Sequence, residues 1–276
     1  MKFSINQTEL QNALGTVLKG TSSKSTLPIL SGIFIEAKED SLIIQATNLD
    51  LSIQYQAKAL VEEPGKTVLP GKLFFDIVKS MNDAAVHITT NDEGAAIICD
   101  SSSFMIRTLD PNDFPSFPKV EILQKISVPF ETFTSMIKKV SKAASKDESK
   151  PALTGINVTL EDGTLSMVTT DSYRLALASA AVKNDNAENF QAVISSVFMA
   201  DIASLPRTAD DLTLALTENQ IVVTYQDTVF INRKIEGTYP AYKRIIPTSY
   251  ATRIRVSRQQ LISAVRRASL LGNAGV

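Results

Sequence analysis

The chain has 276 residues, 44% hydrophobic and 21% charged, with a formal net charge of −1. That length suits two domains of about 120 residues, each large enough to bury a core, and near-neutrality means that any electropositive surface must be local. No apolar run approaches the roughly 20 residues a bilayer requires, so no membrane-spanning helix is expected.

Residues 1–5 alternate like a strand and lack the apolar centre of a signal peptide, which points to a cytoplasmic protein. Leu10 and Leu14 then begin a helical pattern. Ile33 and Ile35 mark a strand, Glu39-Asp40 a turn, and 42–47 a second strand. Residues 68–77 read as a strand running into a helix. His87, the sole histidine, falls in the strand pattern 84–89, and Cys99, the sole cysteine, ends the apolar run 95–99. Disulfides within the chain and a cysteine-cluster metal site are therefore excluded.

The pattern restarts at Ile126 and Val128. Phe130, Phe133, Ile137 and Val140 follow at spacings of three and four, one face of a helix expected over 130–144. Residues 155–160 alternate, Glu161-Asp162-Gly163 supplies a turn, and 165–170 resume as a strand. Residues 193–202 read again as strand then helix.

This is a duplication. Leu30-Ser31-Gly32-Ile33 returns as Leu153-Thr154-Gly155-Ile156 at an offset of 123, while Phe3, Leu10 and Leu14 return as Ile126, Phe133 and Ile137. Phe104-Met105-Ile106-Arg107 matches Phe230-Ile231-Asn232-Arg233. Ile254, Leu261 and Val265 then open a third copy, 128 residues beyond the second set. The expected division is a module over 1–119, a second over 125–250, and the opening strand and helix of an incomplete third over 251–276. Apolar Leu261, Val265, Leu270 and Leu271 of that third piece are candidates for exposure. Each full copy predicts an α+β module in which two helices pack on antiparallel sheets; the period is far too long for a solenoid unit.

Three segments, 26–30 (Thr-Leu-Pro-Ile-Leu), 170–175 (Thr-Asp-Ser-Tyr-Arg-Leu) and 239–247 (Tyr-Pro-Ala-Tyr-Lys-Arg-Ile-Ile-Pro), resemble in order and spacing the bacterial sliding clamp family, the beta subunit of DNA polymerase III. The resemblance runs the whole length and implies the DNA-clamp fold. It also implies a head-to-tail homodimer of three-domain protomers closed around double-stranded DNA, a processivity factor with helices lining the hole. Its implied partners are the replicative polymerase catalytic subunit, the clamp loader and other proteins carrying a clamp-binding motif. Family members carry a complete third domain, so the chain reads as a fragment.

Carried over by position, the family's hydrophobic peptide pocket maps to Leu153, Thr170, Ser172, Tyr173, Arg174, Leu175, Pro240, Arg244 and Ile245. Leu153, Leu175, Pro240 and Ile245 can form an apolar floor for leucine or phenylalanine anchors, with Arg174 and Arg244 at the rim. By periodicity alone, Leu153 and Leu175 read as strand core. Ser172 and Tyr173 stand where many relatives have glycine and histidine. For the duplex, Lys24 aligns with a basic residue of the family, and Lys138, Lys139, Lys142, Lys146 and Lys150 form a cluster. Lys138, Lys142 and Lys146, spaced by four, form one stripe if the helix continues that far. Lysines coat any soluble helix, so the cluster carries more weight than any member. Lys19, Lys72 and Lys79 lie on or beside other predicted helices. Phe104 falls in the edge strand that relatives use for the dimer contact, although core is its other reading.

No catalytic or metal-binding set emerges. A strand position suits His87 better than the role of a general base, no second histidine is available for a metal pair, and no GxxxxGK phosphate loop is present. Asn48, Asp50 and Asp171 read as turn caps. The expectation is a non-catalytic subunit without cofactor or metal; the alternative is a peptide-binding scaffold module that does not encircle DNA.

Overall fold

The protein is described from a computed structural model that covers residues 1–22, 25–182, 189–270 and 272. It divides into two compact units, Met1–Tyr239 and Pro240–Val276.

In the first unit, β1 (Lys2–Asn6) runs directly into α1 (Gln7–Val17). The Asn6 side-chain oxygen accepts the N–H groups of Thr8 at 2.9 Å and Glu9 at 3.2 Å, pairing two donors that the first helical turn leaves without intrahelical partners. Next come β2 (Gly32–Lys38), β3 (Ser41–Thr47), β4 (Leu51–Lys58), β5 (Leu60–Glu63) and β6 (Gly65–Pro70). They are followed by α2 (Gly71–Ser80), β7 (Ala85–Asn91), β8 (Gly94–Cys99) and β9 (Ser102–Ile106). The series then repeats with β10 (Gln124–Pro129), α3 (Phe130–Val140), a short α4 (Pro151–Thr154), β11 (Gly155–Glu161), β12 (Thr164–Thr170) and β13 (Leu175–Ala181). It ends with β14 (Phe190–Ser195), α5 (Ser196–Ala203), β15 (Asp211–Leu216), β16 (Gln220–Tyr225) and β17 (Thr228–Arg233).

Strand order repeats with the sequence. One sheet runs β5-β1-β7-β8-β9, an eight-stranded sheet runs β10-β15-β16-β17-β4-β3-β2-β6, and a third runs β13-β12-β11-β14. The order β1-β7-β8-β9 thus recurs as β10-β15-β16-β17, and β4-β3-β2-β6 recurs as β13-β12-β11-β14. Left-handed backbone positions recur too: Leu49 and Ser172 both have φ 78°, while Glu39 (55°) answers Asp162 (48°) and Asp100 (48°) answers Gln226 (50°). Gly32 and Gly155 open equivalent strands against a close neighbour. A Cβ there would lie 2.4 Å from Val68 Cγ1 in the first copy and 2.6 Å from Val193 Cγ1 in the second.

The copies are joined by main-chain pairing. β17 runs antiparallel to β4 with Phe230 opposite Ile53, so the sheet of one copy continues into that of the other. Helices α1 and α2 pack together, as do α3 and α5, and one apolar cluster runs through both copies beneath them. Phe130, Phe133, Ile137 and Val140 of α3 are all buried in it, and the Phe130 ring stacks on Tyr225 with centroids 4.0 Å apart. Each such side chain removed from water contributes about 1.5–3 kcal/mol.

Helix α3 stops at Val140, short of the expected residue 144. The Thr169 hydroxyl on β12 donates to the Val140 carbonyl at 2.6 Å, a 3-10 turn takes Ser141–Ala143, and Ala144 is extended. Carbonyls at a helix end need partners outside the helix, and β12 supplies one here.

In the second unit, a 3-10 turn spans Tyr242–Arg244, and α6 (Arg258–Ser269) starts at an Ser257 cap whose Oγ accepts from Gln260 N at 3.5 Å. Ile254, Leu261, Val265 and Leu270 are exposed; Leu271 lies outside the described residues. Among the described residues, no helix is long and apolar enough to cross a membrane.

Candidate functional site

The β12–β13 turn is built by its own side chains. Thr170 Oγ1 donates to the Arg174 carbonyl at 2.8 Å and accepts Ser172 N–H at 3.2 Å. Asp171 Oδ1 accepts the N–H groups of Tyr173 and Arg174, each at 3.0 Å, and Oδ2 accepts Arg174 Nε at 3.0 Å. The N–H of Arg174, then that of Tyr173, hold the Asp171 carboxyl below the usual carboxylate range, with the Arg174 side chain adding to the effect. Asn48 builds the counterpart turn, its Oδ1 accepting from Asp50 N and Leu51 N. The reading of Asn48 and Asp171 as caps therefore describes what they do, whereas Asp50 enters its turn through its main-chain N–H.

Arg174 reaches further. Its Nη2 donates to the Lys142 carbonyl at 2.8 Å, tying the turn to the segment that follows α3. Tyr173 points into solvent, 98% exposed, Leu175 is half-buried at the head of β13, and Leu153 on α4 is buried. A groove of about 600 Å³ runs between these elements, lined by Lys142, Lys146, Asp171, Arg174, Ser196 and Val197 among others. It brings two of the cationic candidates beside one of the peptide candidates, a juxtaposition that neither motif announces.

The stripe of three lysines spaced by four does not form. Lys138 and Lys139 are exposed on α3, but Lys142 sits in the 3-10 turn and Lys146 and Lys150 in the following loop, because the helix ends first. The loop is folded back on itself. Ser145 N donates to the Leu153 carbonyl at 2.9 Å, Leu153 N to the Lys150 carbonyl at 2.9 Å, and Asp147 Oδ1 accepts Ser149 N at 3.0 Å. Lys19 is engaged elsewhere, donating to the Asp201 carbonyl at 3.2 Å and to Ser204 Oγ, with its ammonium 3.6 Å from the Asp201 carboxylate. Burial pushes the Asp201 carboxyl up, and Lys19 opposes the shift. Lys24 lies outside the described residues.

Pro240, Arg244 and Ile245 belong to the second unit and are exposed there; the Arg244 N–H closes its 3-10 turn on the Ala241 carbonyl. Phe104 lies on β9, the last strand of its sheet, opposite Ile97 and 38% exposed. Its counterpart Phe230 is 1% exposed because β4 covers that flank. Phe104 is therefore no core residue: its environment is a core position lacking one strand.

His87 is exposed on β7 beside Ser4 Oγ at 2.7 Å, and Cys99 is buried on β8 with its thiol pushed up by burial. Among the described residues, no group of three or more histidine, cysteine or acidic side chains is placed to hold a metal. The residue missed in the sequence is Val197, 72% exposed at the start of α5 and on the groove wall. A lone valine in a helical pattern carries no signal of that placement.

Two family models match. Residues 1–118 match the N-terminal domain of the DNA polymerase III beta subunit, and residues 127–241 match its central domain. The chain is 32% identical to the beta sliding clamp of Staphylococcus epidermidis, over all of this chain and 75% of that protein. The crystal structure of the Bacillus subtilis DNA polymerase sliding clamp superposes with a TM-score of 0.94 at 30% identity, covering 100% of this chain and 75% of that one. A sliding clamp from Pseudomonas aeruginosa solved bound to griselimycin gives a TM-score of 0.92 at 25% identity, covering 98% and 74%. With two consecutive domains matched in order and the fold shared along its length, this chain belongs to the bacterial DNA polymerase III beta subunit, or beta sliding clamp, family.

Proposed function

We propose that the protein acts as a sliding clamp, a non-catalytic processivity factor that encircles duplex DNA and tethers the replicative polymerase, the clamp loader and other motif-bearing proteins. The observation that carries this reading is the β17–β4 pairing. Repeats joined edge to edge add head to tail, and β9 and β13 each end a sheet within the first unit; heterologous addition of this kind closes into a ring when the rotation permits.

In this reading, modules over 1–119 and 125–250 are followed by the start of a third over 251–276, and β9 with Phe104 meets a second protomer. Leu153, Thr170, Ser172, Tyr173, Arg174 and Leu175 take the hydrophobic peptide, and Pro240, Arg244 and Ile245 are the peptide-binding residues of the second unit. Lys24, Lys138, Lys139, Lys142, Lys146 and Lys150 face the phosphates without reading bases. The site of action is the cytoplasm.

The test is retention on DNA. A full-length version with a complete third domain, loaded on a nicked circular duplex, should stay through gel filtration and be lost when the circle is linearised; equal loss from both would favour a scaffold module instead. Lys138, Lys142 and Lys146 changed together to glutamine should flatten the log-log salt dependence by up to about 0.9 per phosphate contact removed.

A further inference from the structure

We propose that Arg174 is a positioning residue for the cationic segment 141–150, in addition to any contact it makes with a peptide, and that peptide and duplex binding therefore oppose each other. The inference rests on the function proposed above for its two ligands, whereas the anchor rests on geometry. Beyond α3 the chain presents carbonyls at the negative end of a helix, where a guanidinium is favoured. Arg174 Nη2 takes the Lys142 carbonyl while Nε is held by Asp171, which is itself fixed by two backbone N–H groups. The segment's middle is tied by Ser145 N donating to the Leu153 carbonyl, and its far end by Leu153 N donating to the Lys150 carbonyl, each at 2.9 Å. The loop carrying Lys142, Lys146 and Lys150 is thus fastened at both ends to residues that the peptide reading also uses.

A ligand that turns the guanidinium toward itself releases the Lys142 carbonyl. The lysines then lose their fixed spacing, and a duplex must restore it on binding. Affinity for one ligand falls by the factor that the other loses, as linkage requires.

Hydrogen exchange on the 276-residue chain reads the anchor directly. Arg174→Met removes the fork, and Arg174→Lys keeps charge and stem but cannot span two acceptors in the same way. In both, the amides of Ala144, Ser145 and Lys150 should exchange about tenfold faster or more, the loss expected of one charge-assisted bond, while β11 and β12 amides keep their protection. A short synthetic peptide with leucine and phenylalanine anchors should accelerate the same amides in the unmodified chain and weaken its duplex affinity severalfold. In Arg174→Met, at a peptide concentration shown by direct titration to saturate that variant, duplex affinity should be the same with and without peptide.

Unchanged exchange over 144–150 in both variants, with β11 and β12 still protected, would overturn the proposal. So would a peptide that binds without altering that exchange. A loss of about 0.9 in salt slope on Arg174→Met within a Lys142→Gln background would mean direct phosphate contact instead of positioning. If Lys142→Gln and Lys146→Gln leave the salt slope untouched, the duplex reading fails while the exchange result still decides the anchor.

Discussion

Phe104 and Phe230 occupy the same place in the two repeats, so truncating each to alanine measures what a neighbouring strand contributes. Phe230 sits between Val223 on β16 and Ile53 on β4 and is 1% exposed; Phe104 faces Ile97 on β8 alone and is 38% exposed. Phe230→Ala leaves an enclosed cavity and should cost about 3–5 kcal/mol. Phe104→Ala forfeits about three fifths of a transfer term of roughly 1.5–3 kcal/mol, and its vacated notch opens to water, so a loss of about 1–2 kcal/mol is expected. The two variants should differ by about 2 kcal/mol in urea unfolding, followed by far-UV circular dichroism and tyrosine fluorescence because the sequence has no tryptophan. Equal losses would refute the argument that β4 makes the difference. Repeating the series at rising protein concentration tests the edge itself. If β9 takes a strand from a second protomer, the cost of Phe104→Ala grows with concentration while that of Phe230→Ala does not.

Ser172 has φ 78°, so Ser172→Val should destabilise the chain by about 1–2 kcal/mol while Ser172→Gly does not, as read by thermal unfolding; identical melting of the two variants would contradict this. Gly155→Ala places a methyl 2.6 Å from Val193 Cγ1 and 2.9 Å from the Ile194 carbonyl and should cost about 1–3 kcal/mol by chemical denaturation. A neutral result would mean that β14 yields freely. The Asp171 carboxyl is held below its ordinary value of 3.8, so the stability it adds is present above about pH 4 and is lost as pH falls through the depressed folded value. Its carbon-13 titration should keep most of that depression in Arg174→Met, because the main-chain N–H groups of residues 174 and 173 remain. A return to 3.8 would assign the shift to the guanidinium instead.

Local pattern carried much of the architecture. The spacing of Phe130, Phe133, Ile137 and Val140 places one face of α3 in the core, where all four are buried. Asp162-Gly163 joins β11 to β12 with φ of 48° and 74°, as a tight hairpin turn requires. The strand pattern 84–89 suited His87 to a half-exposed position and the apolar run 95–99 suited Cys99 to a buried one; His87 is exposed and Cys99 is buried. The duplication itself was legible because both copies need the same residues at the same backbone constraints: Gly32 and Gly155 each meet a valine methyl too closely for any side chain.

What periodicity could not supply is everything decided by contact between distant segments. Where α3 ends depends on Thr169, 29 residues away, and the break between Lys138 and Lys146 follows from it. The pocket assignments and the lysine roles came from family resemblance, since a leucine at a strand end or a lysine on a helix looks alike whether it binds a ligand or not. By itself, the sequence determined the repeated elements and their apolar faces, because side-chain period and turn chemistry are properties of consecutive residues. The tertiary structure alone decided that β17 closes on β4, that Phe104 lacks the strand that buries Phe230, and that Arg174 holds the Lys142 carbonyl. Those outcomes depend on which sheet edges and carbonyls chain folding brings within bonding distance, and no local pattern encodes that.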